Sequence, residues 1–473
     1  MTRVVVIGGG AAGMSAASAA RRVRPAADVV VCEAGGFAAY GMCGIPYFLG
    51  GVVPEAEDLL AYPPAEFRDN RGIDLRLRTQ VKAVDVAAHQ VHTGSEGAEG
   101  TLDYDSLIFA TGASPLRPPI PGLTGPRVFT VRSLDEAIEL RQLLERGAVG
   151  HAVVVGAGYI GLETAEALVD AGVEVEVVEA LPGVLGTVDE PLARLAQAEL
   201  ERHAKVRLSA RLQEVRERAG GVAVGRALTA VADGTEIGTD LVVVATGVRP
   251  ATELLISAGA EHLPDRAVLV DAQMRTSLPD VFAAGDCVAL HHLVLGVPAW
   301  IPLGPAANKT GRVAGTAAVG GTASFGGVAG TAAVKVFDLE VARTGVTLTE
   351  ARLAGLTAVA TDVVSRSRAK YYPGAAALHI RLVHTPDGKL LGGQIAGREG
   401  AAKRIDVLAT ALHAGFTVAD LAALDLSYAP PFAPVYDPVL AAAIKASGSA
   451  PATSKHAAAG FGRPVLNSVG GAP

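Results

Sequence analysis

Two glycine-rich turns, each lying between a valine-rich strand and an alanine-rich helix, constrain this chain more than any other feature. The first unit spans 3–33: a strand over 4–7, the turn Gly8-Gly-Gly10-Ala-Ala-Gly13, a helix, and a strand over 29–32 that ends at Glu33. The second spans 152–179: a strand over 152–155, the turn Gly156-Ala-Gly158-Tyr-Ile-Gly161, a helix through Leu168, and a strand over 173–179 that ends at Glu179. A turn of this spacing uses its glycines for a tight bend, for close approach of backbone to a pyrophosphate, and for close helix–strand packing. The helix N-terminus then faces the phosphates, and the acid ending the second strand holds a ribose hydroxyl. A single GxGxxG turn says little. Strand, helix and terminal acid at the right offsets, twice over, predict two bound dinucleotides.

Bulk properties bound the rest. At 473 residues the chain exceeds the size at which one hydrophobic core keeps growing, so two or three domains are expected. Half the residues are hydrophobic while 4% are aromatic, which predicts an interior of Ala, Val and Leu suited to wound α/β layers. The net charge is −7 with basic residues scattered among acids, which excludes a phosphate-backbone footprint and hence nucleic acid as partner. Three cysteines are too few for a disulfide framework, and a reactive thiol needs a reducing compartment, so a cytoplasmic location is expected. Gly8 to Gly13 interrupt the apolar N-terminus, so neither a signal peptide nor a membrane span is read there. His291 and His292 lack partners at ligand spacing, and no metal is expected.

Cys43 lies in Tyr40-Gly-Met-Cys-Gly-Ile-Pro-Tyr47, a turn that could open a helix. A helix N-terminus favours thiolate, so a lowered pKa and a nucleophilic sulfur are expected. No other cysteine is near in sequence. A lone thiol of this kind exchanges with an outside thiol or cycles through a sulfenic acid. Cys32, among valines, and Cys287, after Asp286, read as core or turn positions.

Three more strands run into glycine turns: Phe109-Ala-Thr-Gly112, Val244-Ala-Thr-Gly247 and Val281-Phe-Ala-Ala-Gly-Asp286. With Cys43 and the two fingerprints, the set resembles the pyridine nucleotide-disulfide oxidoreductases from about residue 3 to about residue 445. The single cysteine is most similar to that of coenzyme A disulfide reductases and related NADH oxidases. The resemblance implies two Rossmann-like domains, one for FAD and one for NAD, with a C-terminal α+β dimerisation domain. The boundaries then fall at 1–115 and 248–323 for the FAD domain, 116–247 for the NAD(P)H domain and 324–446 for dimerisation, leaving 447–473 as a tail too poor in apolar residues to order itself.

The resemblance also implies roles. Gly8, Gly10, Ala11, Ala12, Gly13 and Glu33 would bind FAD, joined by Val81, Thr111, Gly112 and Asp286. Gly156, Gly158, Tyr159, Ile160, Gly161, Glu179 and Gly247 would bind NAD(P)H. Tyr159 matches the aromatic that covers the nicotinamide pocket, and Glu163 follows at i+4 on the same helical face. Residues 180–186 contain no Arg, so a 2′-phosphate beside Glu179 would meet repulsion without a cation, which favours NADH over NADPH.

Lys370-Tyr371-Tyr372-Pro-Gly374 and Ser427-Tyr428-Ala-Pro-Pro431-Phe432-Ala-Pro434 resemble the motifs whose tyrosines reach the other protomer's cysteine in a homodimer. Tyr371 and Tyr428 are the candidates, with Tyr372 as alternative; Tyr436 reads as packing. Arg22, Arg71 and Asn308 match substrate-contacting positions, where coenzyme A would need cations for its phosphates. Ala19, Ala39 and Met42 are apolar where some relatives contact coenzyme A. Ala11 stands where NADH peroxidases carry histidine, so peroxide chemistry is not expected. The implied activity is reduction of coenzyme A disulfide, or a related disulfide or polysulfide, by NADH through FAD and Cys43. The alternatives are an NADH oxidase using a sulfenic acid and a reductase of a small electron-transfer protein.

Overall fold

The computed structural model describes residues 2–95, 98–218 and 226–448. Val, Ile and Ala runs buried on both faces form parallel sheets, as such runs should. The first sheet has five parallel strands in the order Val281–Ala283, Ser106–Phe109, Arg3–Ile7, Asp28–Cys32, Asp74–Arg76. In it Val5 lies opposite Val30 on one side and Leu107 on the other. Helix α1 (Ala11–Val23) connects the two central strands, and the short α2 (Ile45–Leu49) follows.

The second sheet repeats the plan with Lys205–Arg207, Glu174–Val178, His151–Val155, Leu241–Val244 and Val128–Phe129, all parallel. Its helices are α3 (Leu134–Glu145), α4 (Tyr159–Asp170) and α5 (Glu190–Leu200). The second sheet interrupts the first, whose outer strand Val281–Ala283 is supplied only after the chain returns. The crossing is an antiparallel pair, Ala113–Pro115 with Val248–Pro250. After it come α6 (Glu253–Ser257) and α7 (Gly304–Ala318). Helix α7 packs on α1 at a distance that only glycine allows, because a Cβ at Gly311 would overlap the Ala12 carbonyl.

The C-terminal lobe is antiparallel, with strand order Ala332–Val336, Leu339–Gly345, Leu390–Gly397, Ala377–His384, Val359–Arg366. Around this sheet stand α8 (Leu348–Leu353), α9 (Ala401–Ala414), α10 (Val418–Ala422) and α11 (Pro438–Ser447). Helix α11 includes Ser447, the first residue of the expected tail; 449–473 lie outside the described residues.

One hydrophobic core joins three parts of the chain that the sequence separates. Ile45, Phe48 and Leu49 of α2 pack with Leu134 and Leu140 of α3, Leu162 and Leu168 of α4, and Val334, Val336 and Phe337 of the C-terminal hairpin. Ile45, Phe48 and Leu49 are at most 5% exposed, and burying each stabilises by about 2 kcal/mol. The Arg141 guanidinium of α3 closes the end of α2 by donating to the Phe48 carbonyl at 2.8 Å. The segment that carries Cys43 is therefore fixed to the second sheet's helices, although its chain belongs to the first lobe.

Among the described residues no helix is long and apolar enough to cross a membrane.

Candidate functional site

The two glycine turns are built alike. Gly8 has φ +100°, and a Cβ at Gly13 would overlap the Gly8 carbonyl, so strand and helix meet too closely for any other residue. Gly156 (φ +103°) and Gly161 repeat this. The N-caps Gly10 and Gly158 offer no side chain to α1 and α4, which leaves first-turn N–H groups for an anion. Glu33 accepts from Gly9 N at 2.6 Å and Gly35 N at 2.7 Å; Glu179 accepts from Ala157 N at 2.6 Å and Leu181 N at 2.8 Å. Each acid is thus clamped at the rim of its turn by two backbone N–H groups. Ala11, Ala12 and Ile160 open the first turns of their helices. Val81 is buried in the first lobe's core beside a register shift in its strand. Thr111 donates to the Ala251 carbonyl at 2.6 Å, Gly112 has φ +68°, and Gly247 at φ +108° lies in the turn after the matching strand of the second lobe. Asp286 follows the strand Val281–Ala283; burial pushes its carboxyl up while Arg132, 3.6 Å away, opposes.

Cys43 sits in a 3-10 turn, Met42–Gly44, that leads into α2. It is exposed, while Cys32 and Cys287 are buried and all three are free. Burial pushes both buried thiols up to about 11, which keeps them inert. The expected lowering of the Cys43 pKa is not found. Desolvation by the surrounding protein raises it, the carboxylates of Glu163 and Asp286 add to the rise, and only Arg132 and a backbone hydrogen bond pull the other way. The physical reason is that α2 has five residues, too few for a strong dipole, whereas two carboxylates face the sulfur from elsewhere in the chain. Glu163 itself is pushed up to about 7 by burial and by Glu166.

The residues expected at a substrate site gather along α1. Ser15, Ser18 and Arg22 recur at helical spacing on one face. Ser15 Oγ donates to Asn308 Oδ1 of α7 at 2.8 Å, and Arg71 Nη1 donates to Ser18 Oγ at 3.2 Å. Arg71 also pairs with Glu66 at 3.1 Å and lies 4.2 Å from the Tyr62 ring centroid. Arg22 is exposed at the end of α1. Ala19 is buried, and Met42 reaches back toward Gly10. On the C-terminal lobe Tyr428 lies beside Tyr371 and raises its phenol, and Tyr372 instead lies under Arg368. Tyr371, Tyr428, Phe432, Val435 and Tyr436 are all exposed on the single chain.

Residues 2–311 match the family described as Pyridine nucleotide-disulphide oxidoreductase, and residues 331–438 match the dimerisation domain of that family. The chain belongs to this family. A relative from Pyrococcus furiosus named NAD(P)H sulfur oxidoreductase (CoA-dependent) is 39% identical over 93% of this chain and 97% of its own length. Another, from Methanocaldococcus jannaschii and named NADH oxidase, is 35% identical over 93% of this chain and 98% of its own. Among solved structures, an NAD-dependent persulfide reductase from A. fulgidus superposes with TM-score 0.90 and 40% identity, covering 94% of this chain and 83% of that one.

The protein is a flavin-dependent NAD(P)H oxidoreductase using FAD and NAD(P)H. Its own residues fit these groups: the uncapped helix N-termini, the glycine cradles that a Cβ would fill and the clamped acids suit a pyrophosphate and a ribose at each turn. The dimerisation domain supports a homodimer. Sequence reasoning missed Arg132, which donates from Nε to the Ala113 carbonyl at 3.1 Å, pairs with Asp286 and opposes the rise of the Cys43 thiol. It also missed Ser15 and Ser18, although their helical spacing with Arg22 was a usable signal. No cluster of three or more metal-binding side chains occurs among the described residues.

Proposed function

We propose that this oxidoreductase uses NADH to reduce coenzyme A disulfide, or a persulfide or polysulfide of coenzyme A, through Cys43. The observation that carries this is the isolation of Cys43: the single exposed thiol lies where α2 meets the second lobe, and the other two cysteines are buried and inert. The names of the Pyrococcus and A. fulgidus relatives support a sulfur acceptor. In this reading 1–115 and 248–323 form the FAD domain, 116–247 the NAD(P)H domain and 324–446 the dimerisation domain.

Cys43 thiolate attacks one sulfur of the disulfide, a new S–S bond forms to Cys43, and one thiol leaves. FAD, which Gly8, Gly10, Gly13 and Glu33 would hold, would when bound supply two-electron transfer from NADH to the Cys43 disulfide. Two-electron reduction of the Cys43 mixed disulfide breaks its S–S bond, regenerating the Cys43 thiolate and releasing the second thiol after protonation. One NADH, one proton and one disulfide thus give NAD⁺ and two thiols. Arg132 opposes the carboxylates that disfavour thiolate at Cys43. Tyr371 and Tyr428 of the partner subunit donate to the departing thiolate, and Arg22, Arg71 and Asn308 hold the coenzyme A phosphates and sugar along α1. Clamped Glu179 sets the preference for NADH.

The second reading, an NADH oxidase cycling Cys43 through a sulfenic acid, is favoured by the Methanocaldococcus relative's name. The deciding experiment is anaerobic turnover of FAD-loaded protein with coenzyme A disulfide as sole acceptor. Two thiols per NADH, abolished by Cys43→Ser, support disulfide reduction; turnover only when oxygen is admitted overturns it in favour of the oxidase.

A further inference from the structure

We propose that Arg343, paired with Glu350, is a positioning residue for the nicotinamide side of the site, acting through Thr187 on the phenol of Tyr159. The inference rests on the reading that Tyr159 covers the nicotinamide pocket. Tyr159 opens α4, and its ring packs against the core shared by α2, α4 and the C-terminal hairpin. The Thr187 side chain acts on its phenol against the burial that raises it, and the same loop is tied to the glycine turn by Leu185 N donating to the Ala157 carbonyl at 2.8 Å. Thr187 lies in the loop before α5 and has no regular structure to hold it.

What holds it comes from the dimerisation domain. Arg343, on the strand Leu339–Gly345, donates from Nη1 to the Thr187 carbonyl. The same guanidinium is locked by Glu350, with Nη1 to Oε1 at 2.9 Å and Nη2 to Oε2 at 2.6 Å, and donates to the Gly345 carbonyl at 2.9 Å. Glu350 is fixed in turn, because it also accepts the Thr347 N–H as part of a capping box. Arg343 is 9% exposed, and a bidentate pair in such a place has one geometry. Two residues on, the loop is pinned again: Asp189 N donates to Gln394 Oε1 and Gln394 Nε2 to Asp189 Oδ2, both at 2.7 Å. These hydrogen bonds orient the Thr187 loop, which bears on Tyr159 at the glycine turn. The phenol is thus placed from a domain that does not itself carry a dinucleotide fingerprint.

The test is a double-mutant cycle of Arg343→Met with Tyr159→Phe on the FAD-loaded protein. Two readouts are taken: NAD⁺ binding by calorimetry and the rate of flavin reduction by NADH in stopped flow. Loss of a charge-assisted hydrogen bond predicts that Arg343→Met weakens binding and slows reduction about tenfold. Arg343→Lys, which keeps a donor for the Thr187 carbonyl, should recover part of the loss. In the Tyr159→Phe background Arg343→Met should add almost nothing. Equal fold-changes in both backgrounds would overturn the proposal and leave Arg343 a packing residue. If Tyr159→Phe alone changes neither readout, the reading of Tyr159 is wrong and the proposal falls with it. Should Arg343→Met fail to fold, Thr187→Val removes the hydroxyl at the surface of the loop and carries the same cycle.

Discussion

The clamped carboxylate at Glu179 should decide which nicotinamide dinucleotide is used. Its two oxygens are held by the N–H groups of Ala157 and Leu181, so it cannot swing aside to admit a larger ligand. Two like unit charges about 4 Å apart repel by about 1 kcal/mol in water and about 4 kcal/mol at the effective dielectric of a protein surface. The nearest strand-end cation, Arg207, is already paired with Glu176, and 180–186 supply no Arg to relieve the repulsion. A 2′-phosphate should therefore cost roughly 2–3 kcal/mol, a preference for NADH of about 30- to 150-fold in kcat/KM. Glu179→Gln removes the charge and keeps an acceptor for one backbone N–H, so it should shrink the preference to within about fivefold. Its unmatched second N–H should lower stability by about 1 kcal/mol. Steady-state kinetics of both variants with NADH and NADPH at fixed acceptor give the ratio directly. Wild type that uses NADPH as well as NADH, or a ratio untouched by Glu179→Gln, would refute the reasoning.

Glu163 rises from an ordinary 4.5 to about 7, so the folded state favours its protonated form. That contribution is fully present below about 4.5 and is lost as pH rises through about 7. Glu163→Gln should accordingly lose less stability than wild type between pH 5 and pH 8 in thermal melts. Because Glu163 also raises the Cys43 thiol, the same variant should be alkylated by iodoacetamide faster at pH 8, and Arg132→Met more slowly. Gly311→Ala should push α7 off α1, costing about 1–3 kcal/mol and releasing FAD on gel filtration. Arg22→Met, at an exposed cation, should raise KM for coenzyme A disulfide roughly fivefold at low salt while leaving the KM for cystamine unchanged. Equal effects on both disulfides would remove Arg22 from the phosphate site.

The parts of the fold that were legible in the sequence are those set by neighbours along the chain. Gly8 to Gly13 and Gly156 to Gly161 announce their turns because a Cβ at Gly13 or Gly161 would overlap the carbonyl of Gly8 or Gly156, five residues back, and Gly8 and Gly156 themselves hold positive φ. Glu33 and Glu179 follow from the length of one βαβ unit. What could not be read is what distant segments impose. The raised Cys43 thiol depends on Glu163 and Asp286, and local helix logic alone predicted the opposite sign. Arg132 sits in a short link before α3 and carries no motif.

The common core beneath α2 has a consequence for anyone who would recombine this enzyme. A graft cut at the dinucleotide fingerprints would transplant the second lobe without Ile45, Phe48 and Leu49, and without the hairpin bearing Val336 and Phe337. Such a chimera exposes apolar surface at both scars and, more tellingly, lets the sulfur drift relative to the hydride donor. The unit of inheritance for the chemistry is not either Rossmann module but the wedge between them, and crossover points that respect the wedge are the ones from which active hybrids should be recovered.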